Sequence, residues 1–460
     1  MRHTKDNETE TTEHSQKMGF SEMLESLKPV LNWKISMRKN DKVVFQQVDK
    51  TYFEEIPEEM CRMLVRTHFE TATPSTVASL AKAITEDSKR LFDEKLFLGC
   101  RENVVGFLNG VFDMRSGKMR KYQSSDFVVN PLPHKIPYEL SKDTEKEFVK
   151  TLKTWVGEET GDWFLNTLAY MLFIYPNSEN IWLNFFGSGA NGKSVCLELL
   201  ERILGDDKVI GADLASMSRF SGYDFQDKWL VLGRDSSVTV ADSATAFIKN
   251  YTGDLKFRSE KKGGSACDVM NPGKLIVSTN GLIQSKDRSY GWYRRLLPIP
   301  FPNQFSRNEK FKQRLFQDMP KLIRVMLHRA YMYKHSETSI FDSVPKPVQN
   351  LLNETRMMND RLTAFWELDF CGKQIDEGTF LDWDKLRAIH GKTMTEVYEV
   401  YKDWHCREFG ETAIEPSLKT FGGQYGAFLS GPAGKYFCYR KTRAGRVVEL
   451  LPQYITGEKS

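Results

Sequence analysis

One octapeptide constrains this chain more than any other feature. Gly187-Ser188-Gly189-Ala190-Asn191-Gly192-Lys193-Ser194 fits the pattern G-x-x-x-x-G-K-[ST], which residue frequencies alone produce in about 1–2% of chains of this length. Its flanks agree with it. An apolar run at 181–186 leads in, and Cys196, Leu199, Leu200, Ile203 and Leu204 follow at helical spacing, with Gly205 as a stop. Strand, glycine loop and helix in that order aim backbone N–H groups and a positive helix terminus at a phosphate. Gly187, Gly189, Asn191 and Gly192 form the expected cradle, Lys193 reaches the β- and γ-phosphates, and the Ser194 hydroxyl holds Mg²⁺. The expected ligand is a nucleoside triphosphate.

That loop commits the centre of the chain to an α/β layer. Further strand-like runs at 229–232 and 275–277 alternate with helical stretches, which predicts a mostly parallel sheet. Asp235 follows the first of these runs, where an acid would hold Mg²⁺ and position water. Asn280 follows the second; its amide either orients a water beside the γ-phosphate or caps a turn. Arg294-Arg295 comes after a turn-rich loop and is either a solvated pair or an arginine finger reaching a neighbour's γ-phosphate.

The loop, Asp235, Asn280 and Arg294-Arg295, in this order, resemble the superfamily 3 helicases, and among them the phage and plasmid primase–helicase family with its poxvirus-type relatives. Phe107-Leu108-Asn109-Gly110-Val111 with Ser116-Gly117 is similar to that family's segment ahead of the ATPase, and 247–254 is similar to its lKxLTGGD segment with one glycine fewer. The resemblance covers about 103–301. It implies an AAA+-like P-loop ATPase using ATP and Mg²⁺, assembled as a hexamer around single-stranded DNA and moving 3′→5′. The family has two adjacent acids where this chain has Arg234 beside Asp235, so the division between metal-holding and water-activating roles differs here. No primase-like pair of acids stands out in residues 1–100, so helicase action without primer synthesis is expected. A compact chain of this kind looks like a replication initiator of a plasmid or phage-inducible chromosomal island, with host replication proteins as further partners. The alternative is a nucleotide-switched DNA-binding and assembly protein that does not unwind.

Two basic segments are candidate grips on DNA. Residues 256–265 read as one arm and the tip of a β-hairpin, with Lys261 and Lys262 at the tip. In the resembled family this hairpin tracks single-stranded DNA through its phosphates; the bland reading is a solvated lysine pair. Near the C-terminus, Lys435, Arg440, Lys441, Arg443 and Arg446 are five cations with no acid among them, interleaved with aromatics in a second candidate hairpin. Helices followed by a basic hairpin predict a winged helix binding origin double-stranded DNA, although such a unit also serves protein contacts. A small-molecule kinase would share the glycine loop but would have no use for this hairpin.

Composition supplies the remaining exclusions. Lys and Arg number 65 against 61 Asp and Glu, and the net charge of +4 says little about a polyanionic partner without the clustering just described. Seven scattered cysteines, none in a C-x-x-C pair, fit free thiols in a cytoplasmic protein and argue against a zinc ribbon. The N-terminal residues have no apolar core of a secretory signal, and no apolar run is long enough to cross a membrane. The expected organisation is a disordered tail (1–18), a mostly helical N-terminal region (19–100), a mixed β and helical collar (101–178), the ATPase (179–338), a linker with helices opened by Pro345 and Pro347 (339–380), and a C-terminal winged-helix domain (381–460).

Overall fold

Alternation of side chains explains the first unit of the computed structural model. Helix α1 (Phe20–Val30) is followed by an antiparallel meander of β1 (Trp33–Arg38), β2 (Asp41–Val48) and β3 (Tyr52–Ile56), then by α2 (Glu58–His68) and α3 (Pro74–Thr85). Trp33 and Ile35, two apart on β1, are both buried, as the period-two rule requires. Leu27, Trp33, Val44, Cys61, Val65, Leu80 and Ile84 make a core of their own. This corrects the expectation of a mostly helical region. The run Val43-Val44-Phe45 on β2 is continuously apolar and hides its alternation, so periodicity alone does not separate it from a helix. The structure describes residues 18–38, 41–49, 51–91, 102–123, 125–220, 222–225, 228–254, 256–259, 267–271, 273–365, 383–410, 416–430, 437–442 and 445–451.

A second meander, β4 (Val104–Phe107), β5 (Gly110–Asp113) and β6 (Lys118–Arg120), follows the turn chemistry of the sequence. Gly110 takes φ +148°, and a Cβ there would strike the Arg120 carbonyl oxygen at 2.3 Å. The meander is clasped by charge: Arg120 bridges the buried carboxylates of Asp113 and Asp126 at 3.1 and 2.8 Å. Helix α4 (Lys142–Val156) starts on a Ser141 cap and ends at Gly157. Helix α5 (Gly161–Phe173) is buried over most of its surface, with Asp162 and Asn166 marking its one polar face.

The central layer then unfolds in order: β7 (Trp182–Phe186), α6 (Lys193–Leu204), β8 (Val209–Gly211), β9 (Leu230–Gly233), β10 (Thr239–Val240), α7 (Asp242–Gly253), the hairpin arms β11 (Lys256–Ser259) and β12 (Cys267–Met270), β13 (Leu275–Thr279), β14 (Gln284–Ser285), α8 (Tyr290–Tyr293) and β15 (Leu296–Pro300). Five of these strands form one sheet in the order β15-β7-β13-β9-β8, every pair parallel. β13, fourth of the five in sequence, is thus inserted between the first and the third. Ligand crevices in such sheets open at the carboxyl ends of strands, and here those ends carry the glycine loop, Asn280 and Asp235 side by side. Helices α9 (Glu309–Gln317) and α10 (Met319–Lys334) pack behind the layer. One apolar core runs from Val105 to Val348. The collar and the ATPase therefore share a core across the expected boundary at 178.

Pro345 and Pro347 do not open a linker. They are the N-cap and an early residue of α11 (Lys346–Asn359), where a missing N–H costs nothing. Asn359 at its end donates to the Ile283 carbonyl and accepts from the Ser285 N–H, fastening the helix to the central layer. The C-terminal unit comprises α12 (Arg361–Phe365), α13 (Trp383–Ile389), α14 (Met394–Phe409), α15 (Leu418–Ser430) and the hairpin β16 (Phe437–Thr442) and β17 (Gly445–Leu450). Phe365, Val397, Tyr401, Trp404, Phe421, Tyr425 and Val448 form its core. Thr393, just before α14, makes an isolated antiparallel bridge to Val447 of the hairpin. The order among the described residues is four helices followed by the hairpin, with the one bridge at Thr393 between the second and third helices.

Candidate functional site

The glycine loop is built by close approaches that only its own residues permit. Gly187 lies where a Cβ would meet the Asn191 amide at 2.1 Å and the Phe301 carbonyl oxygen at 2.7 Å. Gly189, Ala190 and Gly192 take φ of +109°, +51° and +92°, a left-handed path for which glycine is suited. Trp155 of α4 packs against Gly192. The segment after β15 lies along the loop: Asn191 donates to the Phe301 carbonyl at 3.2 Å, and Phe305 donates its N–H to the Ala190 carbonyl at 2.7 Å. No local signal announced this support, because 301–305 has no periodicity of its own.

Lys193 is buried, with 4% of its surface exposed. Its ammonium donates to the Gly187 carbonyl and, at 3.2 Å, to the Asn280 side-chain oxygen. Both acceptors are neutral. Burial pushes the lysine pKa down, and the negative charge of Asp235 opposes that shift. A buried cation held only by neutral oxygens suits an anionic ligand, which would supply the missing charge. Ser194 stands exposed at the start of α6, with its hydroxyl accessible. A triphosphate with Mg²⁺ fits this donor set.

Asp235 is exposed just past β9 and takes φ +45°. Its N–H donates to the Ser278 hydroxyl at 3.0 Å, and the next N–H, from Ser236, donates to the Ser278 carbonyl at 2.8 Å. Arg234 forms an ion pair with Glu201 on α6. Its charge is thus matched by an acid on the helix that begins at Lys193.

The two adjacent arginines differ. Arg294 is exposed. Arg295 is half-buried, donates to the Gly291 carbonyl at 2.6 Å and lies against Gly253 at the end of α7; burial and the neighbouring Arg294 hold its pKa below the usual arginine value. Lys249 with Asp287 at 2.7 Å and the Ser289 N–H to Asp287 at 2.8 Å fix the loop that carries them. Both arginines precede β15, at the amino edge of the sheet, while the glycine loop leaves β7 at the carboxyl edge. The register pairs Leu296 with Trp182 and Pro300 with Phe186, so five residues, roughly 16 Å at the parallel-strand rise, separate the edges.

The hairpin arms β11 and β12 are paired as the sequence predicts. Lys261 and Lys262 lie outside the described residues, as do Lys435, Arg443 and the side chain of Lys441. Arg440 and Arg446 are exposed on the C-terminal hairpin; Arg440 is paired with Glu449 at 3.0 Å, and the register sets Lys441 opposite Arg446. Among the described residues no cluster of His, Cys, Asp or Glu could hold a metal ion by itself, and no helix is long and apolar enough to cross a membrane.

Residues 185–295 match the family of unknown function DUF5906. The chain is 26% identical over 249 residues to the putative helicase L207/L206 of Acanthamoeba polyphaga mimivirus, covering 52% of this chain and 26% of that protein. It is 26% identical over 245 residues to putative helicase 121R of Invertebrate iridescent virus 3, covering 49% of this chain and 25% of that one. The chain thus spans about a quarter of the length of these curated relatives. The fold of almost the whole chain is similar to that of the NrS-1 C-terminal region, at a TM-score of 0.52 and 11% identity over 93% of this chain and 98% of that one. By sequence this chain is thus similar to putative helicases of a mimivirus and an invertebrate iridescent virus, and by fold to the NrS-1 C-terminal region.

Proposed function

We propose that this protein is an ATP-dependent DNA helicase of superfamily 3 that works as a ring. The observation that carries the reading is the meeting of Lys193 and Asn280, beside Asp235, at the carboxyl ends of adjacent parallel strands. Lys193 leaves its neutral acceptors for the β- and γ-phosphates, and the loop N–H groups hold the remaining oxygens. Ser194 and Asp235 would hold Mg²⁺, which neutralises charge on the phosphate oxygens when bound. Asn280, released by Lys193, orients the attacking water. Arg294, exposed where Arg295 is tied down, is the better placed of the two to reach a neighbouring copy's γ-phosphate.

DNA contacts are assigned to the tip lysines Lys261 and Lys262 and to the C-terminal hairpin. Helices α13, α14 and α15 followed by a two-stranded hairpin, with Thr393 bridging to it, support the reading of a winged helix there. A hexamer, 3′→5′ movement, origin binding and a role as replication initiator of a mobile element extend the same reading and rest on the resemblance of the motifs.

The test is hydrolysis of ATP with and without single-stranded DNA, together with strand release from a forked duplex. DNA-stimulated hydrolysis and ATP-dependent release are expected, both lost in Lys193→Ala. Turnover in that variant at the parent rate would overturn the assignment of the site.

A further inference from the structure

We infer that Ser278 is the positioning residue for the acid of this site, and that through it one strand sets both polar groups facing the phosphates. The inference rests on the ATPase reading above. β13 ends in Ser278-Thr279-Asn280. Asn280 contacts Lys193 directly. Two residues earlier, Ser278 holds the neighbouring loop at two points: its hydroxyl accepts the Asp235 N–H and its carbonyl accepts the Ser236 N–H.

Asp235 needs such an anchor. It takes φ +45°, a left-handed conformation that aspartate enters more readily than most L-residues but that its surroundings must still select. The strand ahead of it cannot shift to compensate. A Cβ on Gly233 would strike the Ser236 hydroxyl at 2.5 Å, the Ala212 carbonyl oxygen at 2.8 Å and Val277 at 2.8 Å, so the turn is packed from three sides. Ser278 itself is 3% exposed, and its hydroxyl works inside the protein. The chain also offers one carboxylate here, Asp235, because Arg234 occupies the adjacent position and pairs with Glu201. With a single acid to hold the metal, a small error in its placement goes uncorrected by a second one.

The carbonyl contact from Ser278 is made by any residue, but the hydroxyl contact is particular to Ser or Thr. Removing it frees the Asp235 N–H and lets the turn relax, which moves the carboxylate away from the metal position. Lys193 and the loop amides, which supply most of the affinity for nucleotide, are untouched. The expected signature is therefore on kcat and on metal demand, with little change in KM for ATP.

The experiment compares full-length Ser278→Ala and Ser278→Thr in steady-state ATPase assays with single-stranded DNA, titrating Mg²⁺ at fixed ATP and recording thermal melts alongside. Ser278→Ala is expected to lose about tenfold or more in kcat and to need several-fold more Mg²⁺, as the loss of an outer-sphere partner does in metal sites, while Ser278→Thr recovers most of the parent rate. In an Asp235→Asn background, Ser278→Ala should cost little more, because the acid it positions is already disabled. Ser278→Cys, near in size but a poor acceptor, replaces the alanine variant should that one melt early. Unchanged kcat and Mg²⁺ demand in Ser278→Ala, or an equal further loss in the Asp235→Asn background, overturns the inference. No ATP hydrolysis by the parent protein overturns the ATPase reading instead, and full turnover in Lys193→Ala overturns the assignment of its site, so the failures are told apart.

Discussion

The central parallel sheet and the C-terminal unit place charged groups by different means. In the sheet, backbone topology does the work: inserting β13 between β7 and β9 sets Lys193, Asn280 and Asp235 next to one another although 87 residues separate the first two. Lys193 there is buried, and Arg234 and Arg295 are braced by Glu201 and the Gly291 carbonyl. In the C-terminal unit an aromatic core of Phe365, Tyr401, Trp404, Phe421 and Tyr425 supports a hairpin whose described arginines stay in solvent. A parallel sheet can fix chemistry to a fraction of an ångström, whereas a hairpin on a small core presents charge to a partner of variable shape. The first arrangement would suit reaction at a defined atom, the second contact with a polyanion.

Substitutions can break this contrast, in descending order of effect. Lys193→Ala should remove hydrolysis altogether, measured as phosphate release, with the melting temperature held. Arg294→Ala should lower kcat by about 10³ if it acts as a finger, whereas Arg295→Ala should mainly lower the melting temperature by freeing the loop it braces; mixing Arg294→Ala with Lys193→Ala protein should restore part of the activity. Trp404→Ala empties the C-terminal core and should cost about 3–5 kcal/mol; it should abolish double-stranded DNA binding in gel-shift assays while DNA-independent hydrolysis persists. Arg446→Ala should weaken DNA binding several-fold and reduce the log–log salt slope by about 1, the mark of one phosphate contact. Arg440→Ala should also weaken binding, by less than a full charge's worth because Glu449 compensates part of it.

The smallest expected effect lies away from both regions. Hydrogen bonds from Arg115, then Arg120, hold the Asp113 carboxyl well below the usual carboxylate range. A carboxylate depressed in the folded state adds stability above its unfolded value near 3.9 and loses it as pH falls toward the folded value. Melting temperature should therefore decline as pH drops from about 5 to below 3, and Asp113→Asn should flatten that decline while lowering the plateau.

What could be read from the residues follows the range of the forces involved. The glycine loop, its strand and its helix are local patterns, and Cys196, Leu199, Leu200, Ile203 and Leu204 are buried as their spacing predicts. Asp235 and Asn280 were legible because each follows an apolar strand run. The inward turn of Arg295 beside an outward Arg294 was not, since neighbours of one chemistry are separated only by what packs around them. Nor were the Glu201 partner of Arg234 or the Phe301–Phe305 support of the loop, contacts made across 33 and about 110 residues. The prolines at 345 and 347 misled in the other direction: a residue that ends helices also starts them.

One feature of the sheet bears on how copies of the chain would associate. Because the glycine loop and the exposed Arg294 occupy opposite edges of one five-stranded layer, Arg294 does not reach the loop of its own molecule, and a shared reaction centre would join two unlike surfaces. Such head-to-tail contacts cannot satisfy themselves in a two-fold dimer; each addition leaves one cleft and one arginine unmated until the last copy meets the first. A small error in the angle between copies would then yield open spirals instead of a closed circle.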